Sequence, residues 1–223
     1  EEFEKEFLDD IRINAQIEGT TLDDYFLNDI LGRLTSMGEL IDPQIRPMQK
    51  RCRNQKIMSF DAFAFDESDK SVVLITNDYI DDVEGVLNKT LIEQHKQRML
   101  NFLQEAYDER LQSFFDLTDD LLKIGKNIGE RMKIDYVDLD KDSSIDKIKL
   151  IIITNKKLSE RIKTLPSEDF LGKRVELNVW SLTRFYELYE SGREKEPILI
   201  ETKKYGVDGI PCIKAEMSGN LDY

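Results

Sequence analysis

Ile57-Met58-Ser59-Phe60-Asp61-Ala62-Phe63-Ala64-Phe65-Asp66-Glu67-Ser68-Asp69-Lys70-Ser71-Val72-Val73-Leu74-Ile75-Thr76-Asn77 is the stretch whose reading decides the fold. Two apolar runs, 57–65 and 71–76, flank five polar residues of turn-forming type, 66–70. That pattern predicts an antiparallel hairpin. The first run sets Met58, Phe60, Phe63 and Phe65 against Ser59, Asp61 and small alanines. Its alternation breaks between Phe60 and Phe63, as on a strand partly covered on both faces. The second run is continuously aliphatic, the signature of a strand buried on two sides.

Working outward to the N-terminus, residues 3–17 carry apolar side chains at roughly helical spacing. Gly19 interrupts them, and Thr20-Thr21-Leu22-Asp23-Asp24 reads as a fresh helix start. A threonine caps orphan amides, and acids suit the positive end of the helix. Leu22, Phe26, Ile30 and Leu34 then recur every fourth residue, and Met37-Gly38 predicts the stop. Residues 39–56 read as a connector containing Pro43 and Pro47. From Arg46 on, it carries Arg46, Lys50, Arg51, Arg53 and Lys56 with no acid among them. Those cations suit either a solvated loop that balances nearby acids or a phosphate-facing patch.

Towards the C-terminus, Leu87, Leu91, Met99, Phe102, Leu103, Tyr107, Leu111, Phe114 and Phe115 predict a helix over about 88–115, and a second follows over about 117–130. Strands are expected at 134–139, 148–154, 173–180 and 197–202, and helices at 158–165 and 182–190. Alternating strands and helices imply parallel pairing. The fold class is therefore α/β: a mixed β-sheet flanked by helices, in which the hairpin and the later strands share one sheet. Residues 1–205 are expected to form a single domain. Residues 206–223, rich in glycine and without periodicity, read as a linker into a C-terminal region beyond this chain.

The formal charge is −13 over 223 residues. Such a chain repels phosphate on average, so contact with nucleic acid requires a local basic patch. The two cysteines, Cys52 and Cys212, are too few for a disulfide framework and fit a reducing cytoplasm. No apolar run reaches membrane-spanning length. The single histidine, His95, excludes a histidine-rich metal site and is expected on a helix surface. No phosphate-binding glycine loop, zinc pattern or dinucleotide fingerprint is present. Trp180, where a strand becomes a helix, reads as a packing residue.

A helix followed by two acid-bearing antiparallel strands and another helix resembles the restriction-endonuclease-like fold. That resemblance implies divalent metal held by an acid at or after the first helix, an Asp on one strand and a Glu-x-Lys on the next. Hard Mg²⁺ prefers carboxylate oxygens, and a lysine assists the attacking water. Here Glu39 matches the first acid and Asp61 the second. The third motif falls within Leu74-Ile75-Thr76-Asn77, which has neither acid nor lysine. Mg²⁺ is implied as a cofactor only if a working nuclease remains.

Residues 173–192, then Glu196-Pro197-Ile198-Leu199-Ile200 and Gly209-Ile210-Pro211-Cys212-Ile213-Lys214-Ala215, together with the hairpin, resemble the N-terminal region of the abortive-infection phage-resistance (AIPR) proteins. The resemblance implies a bacterial, cytoplasmic antiphage protein. Three functions follow as expectations. In the first, a nuclease-like scaffold with a degraded site binds nucleic acid, DNA or RNA, through Arg46, Lys50, Arg51, Arg53 and Lys56, or binds the protein's own C-terminal region. The second is a metal-dependent nuclease using Glu39 and Asp61. The third is a structural domain that forms a homo-oligomer.

Overall fold

A computed structural model describes residues 2–81, 85–134, 144–160, 162 and 165–193. The chain divides into two compact units, residues 1–186 and 187–223, and the architecture below is that of the first. Two helices open it, α1 (Glu2–Glu18) and α2 (Leu22–Ser36). Three strands follow: β1 (Gln44–Arg51), β2 (Ile57–Asp66) and β3 (Ser71–Asp78). Then come β4 (Val86–Leu87), α3 (Lys89–Tyr107) and α4 (Asp120–Met132). The chain continues through β5 (Lys147–Thr154), β6 (Lys157–Leu158), β7 (Glu168–Phe170), β8 (Lys173–Ser181) and α5 (Leu182–Arg193).

Six strands form one mixed sheet in the order β1-β2-β3-β5-β8-β7. The hairpin pairs antiparallel with Phe63 opposite Leu74. β3, β5 and β8 run parallel, with Asp78 opposite Thr154 and Thr154 opposite Ser181. The expected mixed sheet flanked by helices is therefore the architecture of the chain. Alternate residues of the central strands serve two layers. Val72, Leu74, Ile148, Leu150 and Ile152 join the core with Phe102, Leu103 and Ile128 of α3 and α4. Val73, Ile75, Ile151 and Ile153 are equally buried and point the other way. On that side the Asn77 amide reaches Asp23 of α2, and Phe26 packs on Tyr79. Trp180 is buried as expected, with Phe185 and the Arg184 guanidinium against its ring.

The hairpin and α2 form where the sequence places them, for local reasons. The Thr21 side chain accepts from the Asp24 amide at the start of α2. At its end Gly38, at φ 78°, lets the Glu39 amide reach the Leu34 carbonyl. This is the left-handed closure that glycine permits. The turn between β2 and β3 is pinned from outside. Asp66 and Asp69 accept from Lys149 and Lys147 of β5, and Glu67 pairs with Arg131 of α4.

Four expectations need correction. The connector is no loop: residues 44–51 form the edge strand β1 on β2. Only Met48 within it is buried, so its partner ladder rather than its own apolar content makes it a strand. Pro47 is tolerated because β1 lies at the edge, where the register shifts between Ile45 and Met48. The helix expected over 88–115 stops at Tyr107. Glu109 takes the left-handed conformation at φ 58°, and the Arg110 amide closes onto Glu105. The closure at Gly38 recurs there without a glycine to announce it. Leu111 and Phe115 still enter the core from the irregular segment. Third, the expected helix at 158–165 begins instead as β6, paired parallel with β4. Fourth, His95 is not on an open surface but close against Asp78. The strands expected at 134–139 and 197–202, and the linker 206–223, fall outside the described residues, except Ile134, which is in no strand.

Candidate functional site

Polar side chains converge where β3 and β5 end and where β2 parts from β3. The β2–β3 ladder ends at Ala62 opposite Ile75. One residue beyond, the Asp61 carboxylate occupies the gap between the strands. It accepts from the Asn77 amide at 2.7 Å and from the Thr76 hydroxyl at 3.1 Å. A splayed strand pair thus holds a carboxylate where backbone oxygens would otherwise sit. Burial raises the Asp61 carboxyl above the ordinary carboxylate range, outweighing those two hydrogen bonds and the charge of His95.

A second carboxylate stands beside it, from the first turn of α2. Asp23 accepts from the Asn77 side-chain amide at 2.5 Å. Burial raises this carboxyl too, with the charges of Asp61 and Asp24 adding to the shift. Asp23 had been legible only as a helix-start acid; its neighbours are set by packing. Glu39, the acid expected in this place, lies elsewhere. Its amide is bonded to Leu34, and α2 carries Asp23 at the opposite end. Eleven residues of straight helix separate Asp23 from Leu34, roughly 16 Å. Glu39 is exposed, and the fold does not bring it to Asp61.

At the third position stand Thr76 and, two residues on, Asp78. The Asp78 carboxylate accepts from Lys156 at 2.7 Å and lies 3.4 Å from His95 Nε2. Burial pushes this carboxyl up, but His95 and Lys156 together outweigh it and hold it below the ordinary range. Lys156 follows β5, the strand expected at 148–154, so a lysine stands at the strand ends from outside the hairpin. It neutralises Asp78. Asn155 fixes the next turn by bonding both the amide and the carbonyl of Ile80. Among the described residues, two buried oxygens here, Asn77 Oδ1 and Asp78 Oδ2, accept no hydrogen bond. Among the described residues, no group of three or more His, Cys, Asp and Glu side chains is placed to hold a metal ion.

The basic cluster divides in two. Arg46, Arg51, Arg53 and Lys56 are exposed along β1 and the turn after it. Lys50 turns inward instead: its ammonium donates to the Phe114 carbonyl at 2.7 Å and lies 4.2 Å from the centre of the Phe115 ring. Cys52, beside it, is buried and free. Among the described residues no helix is long and apolar enough to cross a membrane.

Against known proteins, residues 26–187, well over half of the chain, match the family described as the abortive infection phage resistance protein N-terminal domain. No curated protein matches, and no solved structure matches.

Proposed function

Because the chain belongs to the abortive infection phage resistance family, as an N-terminal domain of such proteins, we propose that it is a binding module of a bacterial, cytoplasmic phage-defence protein. Its sheet is a restriction-endonuclease-like scaffold whose hydrolytic site has decayed. The observation that carries this reading is the fate of the third metal-holding position. Thr76 occupies it and donates to Asp61. The acid next along the strand, Asp78, is tied to Lys156 and His95 rather than turned to a cation. A Mg²⁺ site needs several carboxylate oxygens free to converge, and a water-activating lysine free of other partners. Here the carboxylates of Asp23 and Asp61 serve as acceptors for Asn77 and Thr76.

Binding is assigned to the exposed side chains of Arg46, Arg51, Arg53 and Lys56. Each is exposed, on β1 or the turn after it, in a chain of charge −13. Contacts of this kind release counterions, so affinity falls steeply with salt.

The test is made on the full-length protein with labelled DNA and RNA, in Mg²⁺ or Mn²⁺. The expected result is retention of the nucleic acid uncut, with an affinity that drops as salt rises. Arg51→Glu with Arg53→Glu weakens that binding. Metal-dependent cleavage that Asp61→Ala abolishes would restore the nuclease reading. Absence of nucleic-acid binding at low salt would move the binding role to the protein's own C-terminal region.

A further inference from the structure

An open groove of about 850 Å³ runs between the start of β2, residues 55–57, and one face of α3. Asn101 forms its floor. It is 7% exposed, donates from its side chain to the Ile57 carbonyl at 2.7 Å and accepts from Gln97 at 3.0 Å. These bonds hold α3 to β2, so the two walls keep their spacing. Thr90, Gln94, Gln97 and Asn101 recur at helical spacing and share the face of α3 that lines the groove. Lys89 and Arg98 flank that face, and Lys56 stands on the wall across from it.

Three cations from two elements therefore border one groove. None of them is in an ion pair among the described residues, in a chain with 45 acidic side chains. Among the described residues Glu93 is the one acid in the lining, and Lys96 holds its carboxylate at 2.8 Å. With Lys96 and its second partner Glu168 included, four cations stand against two acids. Lys89 and Arg98 are nine positions apart on the helix, roughly 14 Å along its axis. One strand of a duplex passes about four phosphates over that rise, so the separation suits a row of phosphates rather than a single one. Among the described residues no aromatic ring lines the groove. Single strands are held by stacking their bases on such rings, whereas a duplex backbone is met by Lys, Arg, Gln, Asn and Thr side chains.

We infer that the groove seats the sugar-phosphate backbone of one strand of a nucleic-acid duplex, with Lys56, Lys89 and Arg98 at separate phosphates. The inference rests on the nucleic-acid binding proposed above and deepens it. Arg53 and Gln55 share one turn, so the exposed cations after β1 lead directly into the groove. Lys89 and Arg98 extend that surface onto α3, well beyond the basic connector.

The test titrates the full-length protein with a labelled duplex and with its isolated strand, by fluorescence anisotropy over a salt series. The duplex should bind more tightly than the strand. Lys89→Ala with Arg98→Ala should weaken duplex binding about ten-fold at low salt and lower the salt slope by about two contacts. Lys5→Ala with Lys126→Ala makes the same change of charge away from the groove and should alter neither. Equal weakening in that control would reduce the effect to net charge and overturn the inference. If Arg51→Glu with Arg53→Glu weakens binding and the Lys89 and Arg98 variant does not, the groove falls while the binding function stands. If no nucleic acid binds at low salt, both fall. A strand bound as tightly as the duplex overturns the duplex assignment. Arg98 is half-buried. Should its removal shift the urea midpoint, the exposed Lys89→Ala alone decides, with a slope lowered by about one contact.

Discussion

Lys156 donates to the Asp78 carboxylate at 2.7 Å, joining the ends of two parallel strands whose residues lie 78 positions apart. Both side chains are only 12% exposed. Removing the cation leaves a mostly buried carboxylate with the His95 imidazole 3.4 Å away. Lys156→Met should therefore cost about 2 kcal/mol in urea unfolding, below the full penalty for an isolated buried charge. The double variant with Asp78→Asn should cost less than the sum of the two single changes.

Stability should fall in acid. Asp66, with Ser68 and Lys149 as partners, and Asp69, with Lys147 and Lys149, are held below the ordinary range, as is Asp78. A carboxyl with a lowered folded value adds stability that is complete above its unfolded value, about 3.9. That contribution disappears as pH falls through the lower folded value. The urea midpoint should therefore decline progressively below about pH 4, and the decline should be shallower in Lys149→Met, which lacks the cation shared by Asp66 and Asp69.

Asp61 runs in the opposite sense. Its folded value is raised, chiefly by burial, so its contribution is present at low pH and lost as pH rises through that raised value. At neutral pH the charged carboxylate is thus held at a cost. Asp61→Asn should leave stability unchanged or raise it by up to about 1 kcal/mol at pH 7. A loss well beyond 1 kcal/mol in thermal unfolding would show that the carboxylate is kept for the strand junction itself.

Helices α3 and α4 approach at Gly129. A Cβ placed there would lie 2.3 Å from the Ala106 carbonyl oxygen and 2.8 Å from its carbon. Both contacts are with backbone, which a rotamer change cannot relieve. Gly129→Ala should destabilise the chain by about 1–3 kcal/mol despite its better helix propensity, measurable by urea denaturation.

Lys50 and Arg53, alike in charge, should separate by assay. Lys50 is bonded to Phe114 and stacked over Phe115, whereas Arg53 is exposed. Lys50→Ala should lower stability by about 1 kcal/mol with little effect on the salt slope of nucleic-acid binding. Arg53→Ala should leave stability unchanged and reduce that slope by about one contact.

Elements whose signals are local were legible in the chain. The hairpin turn, the Thr21 cap, the Gly38 stop and the aliphatic runs of β3 and β5 each carry their own chemistry. What was not legible depends on partners. β1 looks like a basic loop because its strand character is borrowed from β2. α3 ends early because Glu109 adopts a conformation that glycine usually advertises. The site suffered the same limit. Asp61 stood out as an acid on a strand, but Asp23 is brought to it only by the docking of α2. The meeting of Asp78, His95 and Lys156 follows from the parallel register that sets Asp78 opposite Thr154. Glu39 was chosen by its position after a helix, and the straight length of that helix carries it away.

The shifted register around Pro47 bears on how copies of this sheet behave when crowded. Its outer rim lacks one backbone donor and is bent by an extra residue, with like charges along it. A neighbouring copy presenting the same rim finds neither matching donors nor a straight line to zip along. The molecule therefore resists end-to-end growth into fibrils at its longest open border.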